Sequence, residues 1–424
     1  MEKFIIEGGI PLEGVIEPSG NKNAALPILA ACLLTAEKII LSNIPDIQDV
    51  QTMRALLQSL GVNITLIDNH KWEIQAKEIR PADLDPELSS KIRASILLAG
   101  PMLARMGTLK LPPPGGDVIG RRRVDTHIMA LTALGANVEY NRNFTFNAKS
   151  LHGANILLDE ASVTATENTI MAAVLAKGTT VIKNAASEPH VQELCNFLNV
   201  LGAKIENIGS NALVIEGVAN LHGGEYEIGA DYLEVVSFIG AAVVTKGSIR
   251  IKNAGVEHLE MVRMVFRRLG VDWQKDGKDI IVPKEQKLII EPDLGEAIPE
   301  ISVMPWPAFP TDLMSIAIVV ATQSHGTVLF HDWMYPSRMF FTDKLVGMGA
   351  QIVLCDPHRC IVQGPSQLYG EKMESPDIRA GMALLLAALS AKGISTIRNV
   401  AQIERGYERI DEKLITLGAN IKRQ

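Results

Sequence analysis

Cysteine is scarce: Cys32, Cys195, Cys355 and Cys360 are the whole complement of a 424-residue chain. Their spacing fits neither a disulfide framework nor a paired zinc-ligand pattern. Cys355, His358 and Cys360 lie close together but lack a second ligand pair, so no metal site is expected. No uninterrupted apolar run is long enough to span a bilayer, and the opening MEKFIIEGG has no secretory h-region. These absences predict a reduced, cytoplasmic chain with no membrane partner. There is no excess of positive charge; the net charge of −7 argues against nucleic acid as a partner. P-loop, dinucleotide fingerprint, HExxH and GxSxG motifs are all missing, which disfavours kinases and nicotinamide enzymes. What remains is globular: 47% apolar and 21% charged residues, with a length that implies two domains.

Internal repetition is the first positive feature. A Leu-Gly phrase recurs as LGVNI, LGANV, LGAKI, LGVDW, MGAQI and LGANI, starting at Leu60, Leu134, Leu201, Leu269, Met348 and Leu417, at intervals of about 70 residues. A second phrase is interleaved, as KGTTVIKN at Lys177, KGSIRIKN at Lys246 and KGISTIRN at Lys392. Each unit reads as a buried helix, a short β-branched strand, an amphipathic helix ended by the Leu-Gly phrase, and further strand. The glycine suits a left-handed helix cap. The first helix of each unit, near 24–34, 96–103, 170–175, 235–244, 314–321 and 382–389, is apolar nearly all round and is therefore buried on every side. Three units per domain place buried, parallel helices at the centre with sheet around them: an inside-out α/β barrel, twice.

Each buried helix is preceded by polar residues: Asn21-Lys22-Asn23; Lys91 and Arg93; Thr166-Glu167-Asn168; Asp231; Thr311-Asp312; Asp377 with Arg379. Acids and amides are explained by N-capping. Lys22, Arg93 and Arg379 are not, because cations at helix N-termini are unfavourable unless an anion is bound. Two domains facing each other would make an anion-binding cleft lined by six helix N-termini. The stretch 111–127, LPPPGGDVIGRRRVDTH, adds a glycine-hinged loop with one acid, Asp117, beside three arginines. Asp312, just after a proline, reads equally as a cap or a general base. Arg338 sits among apolar residues and needs an anion. In ERGYERIDEKL, Arg405 and Arg409 lie four apart and can pair with Glu404, Glu408, Asp411 and Glu412 on a helix face.

Taken together, GNKNAALP, KIRAS, PGGDVIGRRRVDTH, TATENTIMAA, AFPTDLM, SPDIRA and ERGYERI make the chain resemble the enolpyruvyl transferases nearly end to end. The resemblance implies two inside-out α/β domains of three units each. One spans 1–20 and 231–424 and includes the N-terminal strand; the other spans 21–230 and carries a mobile loop at about 113–123. It implies transfer of the enolpyruvyl group of phosphoenolpyruvate to the 3-hydroxyl of UDP-N-acetylglucosamine through a tetrahedral ketal, with no cofactor, no metal and no obligate protein partner. By position, Lys22 and Asn23 would contact phosphoenolpyruvate, and Arg122, Arg379 and Arg405 its phosphate and carboxylate. Arg93, Arg123, Val124, Asp125, Thr126, Ser162, Val163, Met334 and Arg338 would line the substrate site. Asp312 would be the base and Asp117 the acid, with Lys22 and Arg405 completing the catalytic set.

Four departures from the family pattern matter. Most members carry cysteine where Asp117 stands, and the epoxide drug fosfomycin alkylates that cysteine; resistance is expected here. Tyr335-Pro336-Ser337-Arg338 replaces Phe-Glu-Asn-Arg, Asp231-Tyr232-Leu233-Glu234 replaces Asp-Arg-Ile-Glu, and Glu160 stands where some members have lysine. Shikimate 3-phosphate or another nucleotide as acceptor, and a non-catalytic paralogue that senses a sugar nucleotide, are the alternatives.

Overall fold

The computed structural model describes residues 2–80, 84–116 and 123–424. Two compact units share it, dividing between Ser19 and Gly20 and between Gly229 and Ala230. Asp117 and Arg122 lie outside the described residues.

The unit that holds both termini is built on three helices, Tyr232–Val244, Met314–Ala321 and Ile378–Ser390. Every residue of the first two is buried. Side chains that are apolar on all faces leave a helix no stable place at a surface, so these three pack on one another. Gly240 permits the close approach: a Cβ there would sit 2.8 Å from both Ile316 Cγ2 and Leu386 Cδ2. Sheets surround the helices. Ser248–Ile251 pairs with Asp279–Val282 and, in parallel, with Glu13–Ile16. Gly326–His331 pairs with Arg359–Gly364 and, in parallel, with Glu300–Ser302. In the third sheet the inner antiparallel position is filled by the start of the chain: Lys3–Glu7 lies between Ile394–Arg398 and Asn420–Arg423. Its alternation buries Phe4 and Ile6 in the core.

The other unit repeats the plan with Lys22–Ala31, Ala99–Met106 and Val163–Ala173 as inner helices. It closes on itself, since Gly224–Glu227 from its end runs parallel to Lys38–Ser42 from its beginning. Among the described residues the chain forms six sheets, one for each sequence repeat. The glycine of every Leu-Gly phrase (Gly61, Gly135, Gly202, Gly270, Gly349, Gly418) has φ between 78° and 104°, the left-handed cap that the phrase predicts.

Two inner helices differ from expectation. The second begins as a 3-10 turn, Arg93–Leu98. Pro101 has no N–H to return to the Leu97 carbonyl, so an α-ladder cannot run back through it, while proline is accommodated in the first turn of the α-segment that follows. The third begins at Val163, upstream of Thr166-Glu167-Asn168, which are therefore inside the helix and buried. Thr166 and Thr169 satisfy their hydroxyls on the Ser162 and Ala165 carbonyls. No helix among the described residues is long and apolar enough to cross a membrane.

Candidate active site

In the unit with the termini, chemistry gathers where the Met314–Ala321 and Ile378–Ser390 helices begin. Asp312 lies in the 3-10 turn Thr311–Leu313 that leads into the first. Its Oδ1 accepts from Arg338 Nη2 at 2.8 Å and its Oδ2 from Arg379 Nη2 at 3.3 Å. The guanidiniums are buried, with side chains 4% and 6% exposed, whereas the Asp312 side chain is 30% exposed. A carboxylate held by two fixed cations with one side open to solvent can meet a substrate without being free to swing away. Burial alone would lower the Arg379 pKa; Asp312 and the Tyr407 ring system outweigh it and raise it. Arg338 follows the same logic, with Asp312, Asp377 and Asp332 as the compensating anions. Arg338 Nε is buried with no hydrogen-bond acceptor, although Tyr335 covers the guanidinium at 5.3 Å.

Asp377 caps its helix, accepting from the Arg379 and Ala380 N–H groups at 2.8 and 3.0 Å. Tyr407 stacks under Arg379 and hydrogen-bonds it at 3.2 Å; its hydroxyl also meets Ser237 Oγ at 3.0 Å. Met334 donates its N–H to buried Asp332, which also accepts from Thr311. Arg405 donates to Gln402 at 3.2 Å. The single helix expected around Arg405 and Arg409 does not form. Ala401–Glu404 ends, Arg409 turns left-handed at φ 44°, and Ile410–Thr416 starts anew. Glu404 and Asp411 pair with Arg423 instead of the neighbouring arginines, whereas Arg409 lies 3.9 Å from Glu412 as expected.

In the other unit, Asn21 caps the Lys22–Ala31 helix through the N–H groups of Asn23 and Ala24. Lys22 Nζ lies 3.0 Å from Asp49, with both side chains at least nine-tenths buried. Arg93 Nη2 donates to the Arg123 carbonyl at 2.7 Å. Arg123 bridges Asp125 and Asp159, each at 3.1 Å, and Thr126 donates to Asp159 at 2.7 Å. Val124 and Asp125 open the Asp125–Ala133 helix; Ser162 and Val163 open the Val163–Ala173 helix. Of the three helix-start cations expected to require an anionic ligand, two have protein carboxylates beside them, Asp49 for Lys22 and Asp312 for Arg379, and Arg93 donates to a backbone carbonyl.

Residues 6–414 match the family model described as EPSP synthase (3-phosphoshikimate 1-carboxyvinyltransferase). The chain is 58% identical over 421 residues to the UDP-N-acetylglucosamine 1-carboxyvinyltransferase of Bradyrhizobium diazoefficiens, covering 99% of this chain and 98% of that one. The chain belongs to this family. The carboxyvinyltransferase of Treponema denticola is 55% identical over 422 residues, covering 100% and 99%. Among solved structures, the enolpyruvyl transferase NikO from Streptomyces tendae superposes with TM-score 0.89 over 100% and 99% of the two chains at 23% identity. EPSP synthase from Acinetobacter baumannii reaches 0.77 over the whole of both chains at 16% identity. These two likenesses establish the inside-out α/β fold of the enolpyruvyl transferases.

For this carboxyvinyltransferase-family chain, sequence reading missed Asp49, Asp159 and Tyr407. Asp49 is the second residue of an amphipathic helix and looked like a first-turn acid. Asp159 stands beside Glu160 in an ordinary turn. Tyr407 lay within ERGYERI but had no assigned role. Nothing local marks any of them, because each acts across the fold. Of the departures, Tyr232 is buried and packs on Trp306 and His258, ring centroids 6.0 and 6.4 Å away.

Proposed function

We propose that the chain transfers the enolpyruvyl group of phosphoenolpyruvate to the 3-hydroxyl of UDP-N-acetylglucosamine and releases phosphate. Asp312 takes the proton of the 3-hydroxyl as its oxygen bonds to C2. Asp117 delivers a proton to C3, so a tetrahedral ketal forms. Loss of phosphate from C2 and of a proton from C3 restores the double bond. Lys22, Asn23, Arg122, Arg379 and Arg405 bind the phosphate and carboxylate. Their charge is fixed before the reaction begins, and so stabilises the crowded anionic intermediate without reorganisation. Arg93, Arg123, Val124, Asp125, Thr126, Ser162, Val163 and Met334 hold the sugar nucleotide, and Arg338 keeps Asp312 aimed. The chemistry needs neither cofactor nor metal.

The observation that carries this reading is Asp312, clamped between two buried guanidiniums yet open on one side, in a chain more than half identical to named carboxyvinyltransferases. The finer assignments belong to the same proposal: a cytoplasmic enzyme, at the first committed step of peptidoglycan precursor synthesis, without an obligate protein partner, and insensitive to fosfomycin through Asp117. Phosphate release from phosphoenolpyruvate with UDP-N-acetylglucosamine, other UDP-sugars and shikimate 3-phosphate tests it. Release only with UDP-N-acetylglucosamine is expected. Release with shikimate 3-phosphate alone would transfer the function to that acceptor, and nucleotide binding without release would favour a sensor.

A further inference from the structure

His127 is 1% exposed, in the first turn of the Asp125–Ala133 helix, and the proposed reaction does not use it. Its hydrogen bonds determine which nitrogen carries the proton. Asn168 settles this. The Gly100 N–H, which can only donate, points at Asn168 Oδ1 from 2.8 Å. The Ile96 carbonyl, which can only accept, lies 2.7 Å from Asn168 Nδ2. The amide therefore has one possible orientation. Its Nδ2 is also 2.9 Å from His127 Nδ1. An amide nitrogen offers only hydrogens, so Nδ1 must present its lone pair. The proton is then on Nε2, which donates to Thr164 Oγ1 at 3.1 Å. Protonating Nδ1 would set two donors against each other in a dry site. Burial, reinforced by Arg93, independently pushes the ring's pKa down to about 3.

This neutral ring and Asn168 together join three elements through buried polar side chains. They are the helix start carrying Thr126, the Val163–Ala173 helix carrying Thr164 and Asn168, and the turn carrying Arg93 and Ile96. Thr126, the residue before His127, donates to Asp159, which holds Arg123, whose carbonyl receives Arg93. We propose that His127 and Asn168 form a positioning pair, with the imidazole locked as the neutral Nε2–H tautomer, that fixes Arg93, Arg123 and Thr126 relative to Ser162 for binding of the nucleotide diphosphate. The role assigned to those residues rests on the reading under Proposed function; the tautomer does not.

Long-range proton–nitrogen correlation on the ¹⁵N-histidine-labelled full chain tests the tautomer, with the signal assigned by its loss in His127→Gln. The expected pattern is an unprotonated Nδ1 and a protonated Nε2, unchanged from pH 5 to pH 9. A ring that titrates in that range, or one protonated on Nδ1, overturns the proposal. Asn168→Asp exchanges the donor facing Nδ1 for an acceptor and is expected to place a proton on Nδ1; an unchanged ring overturns it. Kinetics test the positioning. His127→Phe, which keeps the ring shape and removes both bonds, is expected to raise KM for UDP-N-acetylglucosamine roughly 5- to 50-fold. KM for phosphoenolpyruvate should be unaltered, and His127→Gln should recover part of the loss. Equal effects on both substrates, or a fall in kcat alone, overturn the positioning role. If the wild-type chain does not use this acceptor at all, the functional reading fails while the nitrogen spectrum still judges the network.

Discussion

Replacing Asp312 with asparagine separates catalysis from architecture. Asparagine keeps the shape and one acceptor oxygen but cannot take a proton from a hydroxyl. Loss of a positioned general base is expected to lower kcat by about 10²- to 10⁴-fold, equivalent to roughly 3–5 kcal/mol of barrier. The structural cost is smaller. Removing the anion from a fully buried ion pair costs about 3–5 kcal/mol, but here three features reduce it. The Asp312 side chain is 30% exposed, so water can enter; Arg338 retains Asp377 at 4.0 Å; and Arg379 retains Tyr407 at 3.2 Å. A loss of about 1–2 kcal/mol remains, which for a unit of this size lowers Tm by roughly 2–8 °C. Calorimetry, nucleotide binding and single-turnover phosphate release measure the two effects separately. A folded Asp312→Asn protein that retains kcat within threefold of wild type would refute the base role.

Other outcomes follow from the same geometry. Fosfomycin should leave the wild-type enzyme active, and Asp117→Cys should make it subject to time-dependent inactivation; burial pushes the Cys195 and Cys360 thiols up to about 12 and raises Cys32 as well, so none of these is a competing nucleophile. Lys22→Met should raise KM for phosphoenolpyruvate and remove the ammonium from buried Asp49, lowering stability by about 1–3 kcal/mol in urea unfolding. Gly240→Val should destabilise by about 1–3 kcal/mol or more, because even its Cβ meets Ile316 and Leu386 at 2.8 Å. Burial first, and Glu188 second, raise the Glu167 pKa well above its ordinary value. The folded chain therefore holds a proton that the unfolded chain releases, and this group's contribution to stability falls as pH rises above the unfolded carboxyl value of about 4.3. Glu167→Gln should accordingly flatten that fall and be more stable than wild type at pH 8, as measured by chemical unfolding at several pH values.

Local patterns were the legible part of the fold. The repeated Leu-Gly phrase announced six surface-helix ends, and all six glycines occupy left-handed caps because no other residue takes that φ without strain. Apolar runs announced the six inner helices. Their starts were less visible: Thr166, Glu167 and Asn168 look like a polar lead-in, yet all three are buried, Thr166 and Asn168 through helix-internal and cross-helix hydrogen bonds and Glu167 with its pKa pushed well up by that burial. The same limit applies to charge. Glu404 and Asp411 are near Arg405 and Arg409 in sequence, but Arg423 reaches them from the strand that follows the Ile410–Thr416 helix, because the chain turns back there. Asp312, Arg338 and Arg379 could each be singled out as chemically unusual. That they form one cluster depends on the packing of two inner helices and a loop, which spacing does not encode.

The proposed reaction makes one new bond, between the sugar's O3 and C2 of phosphoenolpyruvate. Incubation with [2-¹³C]phosphoenolpyruvate and UDP-N-acetylglucosamine, followed by carbon–proton correlation of the product, observes that bond directly. The expected spectrum shows a labelled enol-ether carbon coupled to the sugar H3, with phosphate released in equal amount. A label attached to any other acceptor position, or one that stays in phosphoenolpyruvate while the nucleotide is bound, would contradict the assignment.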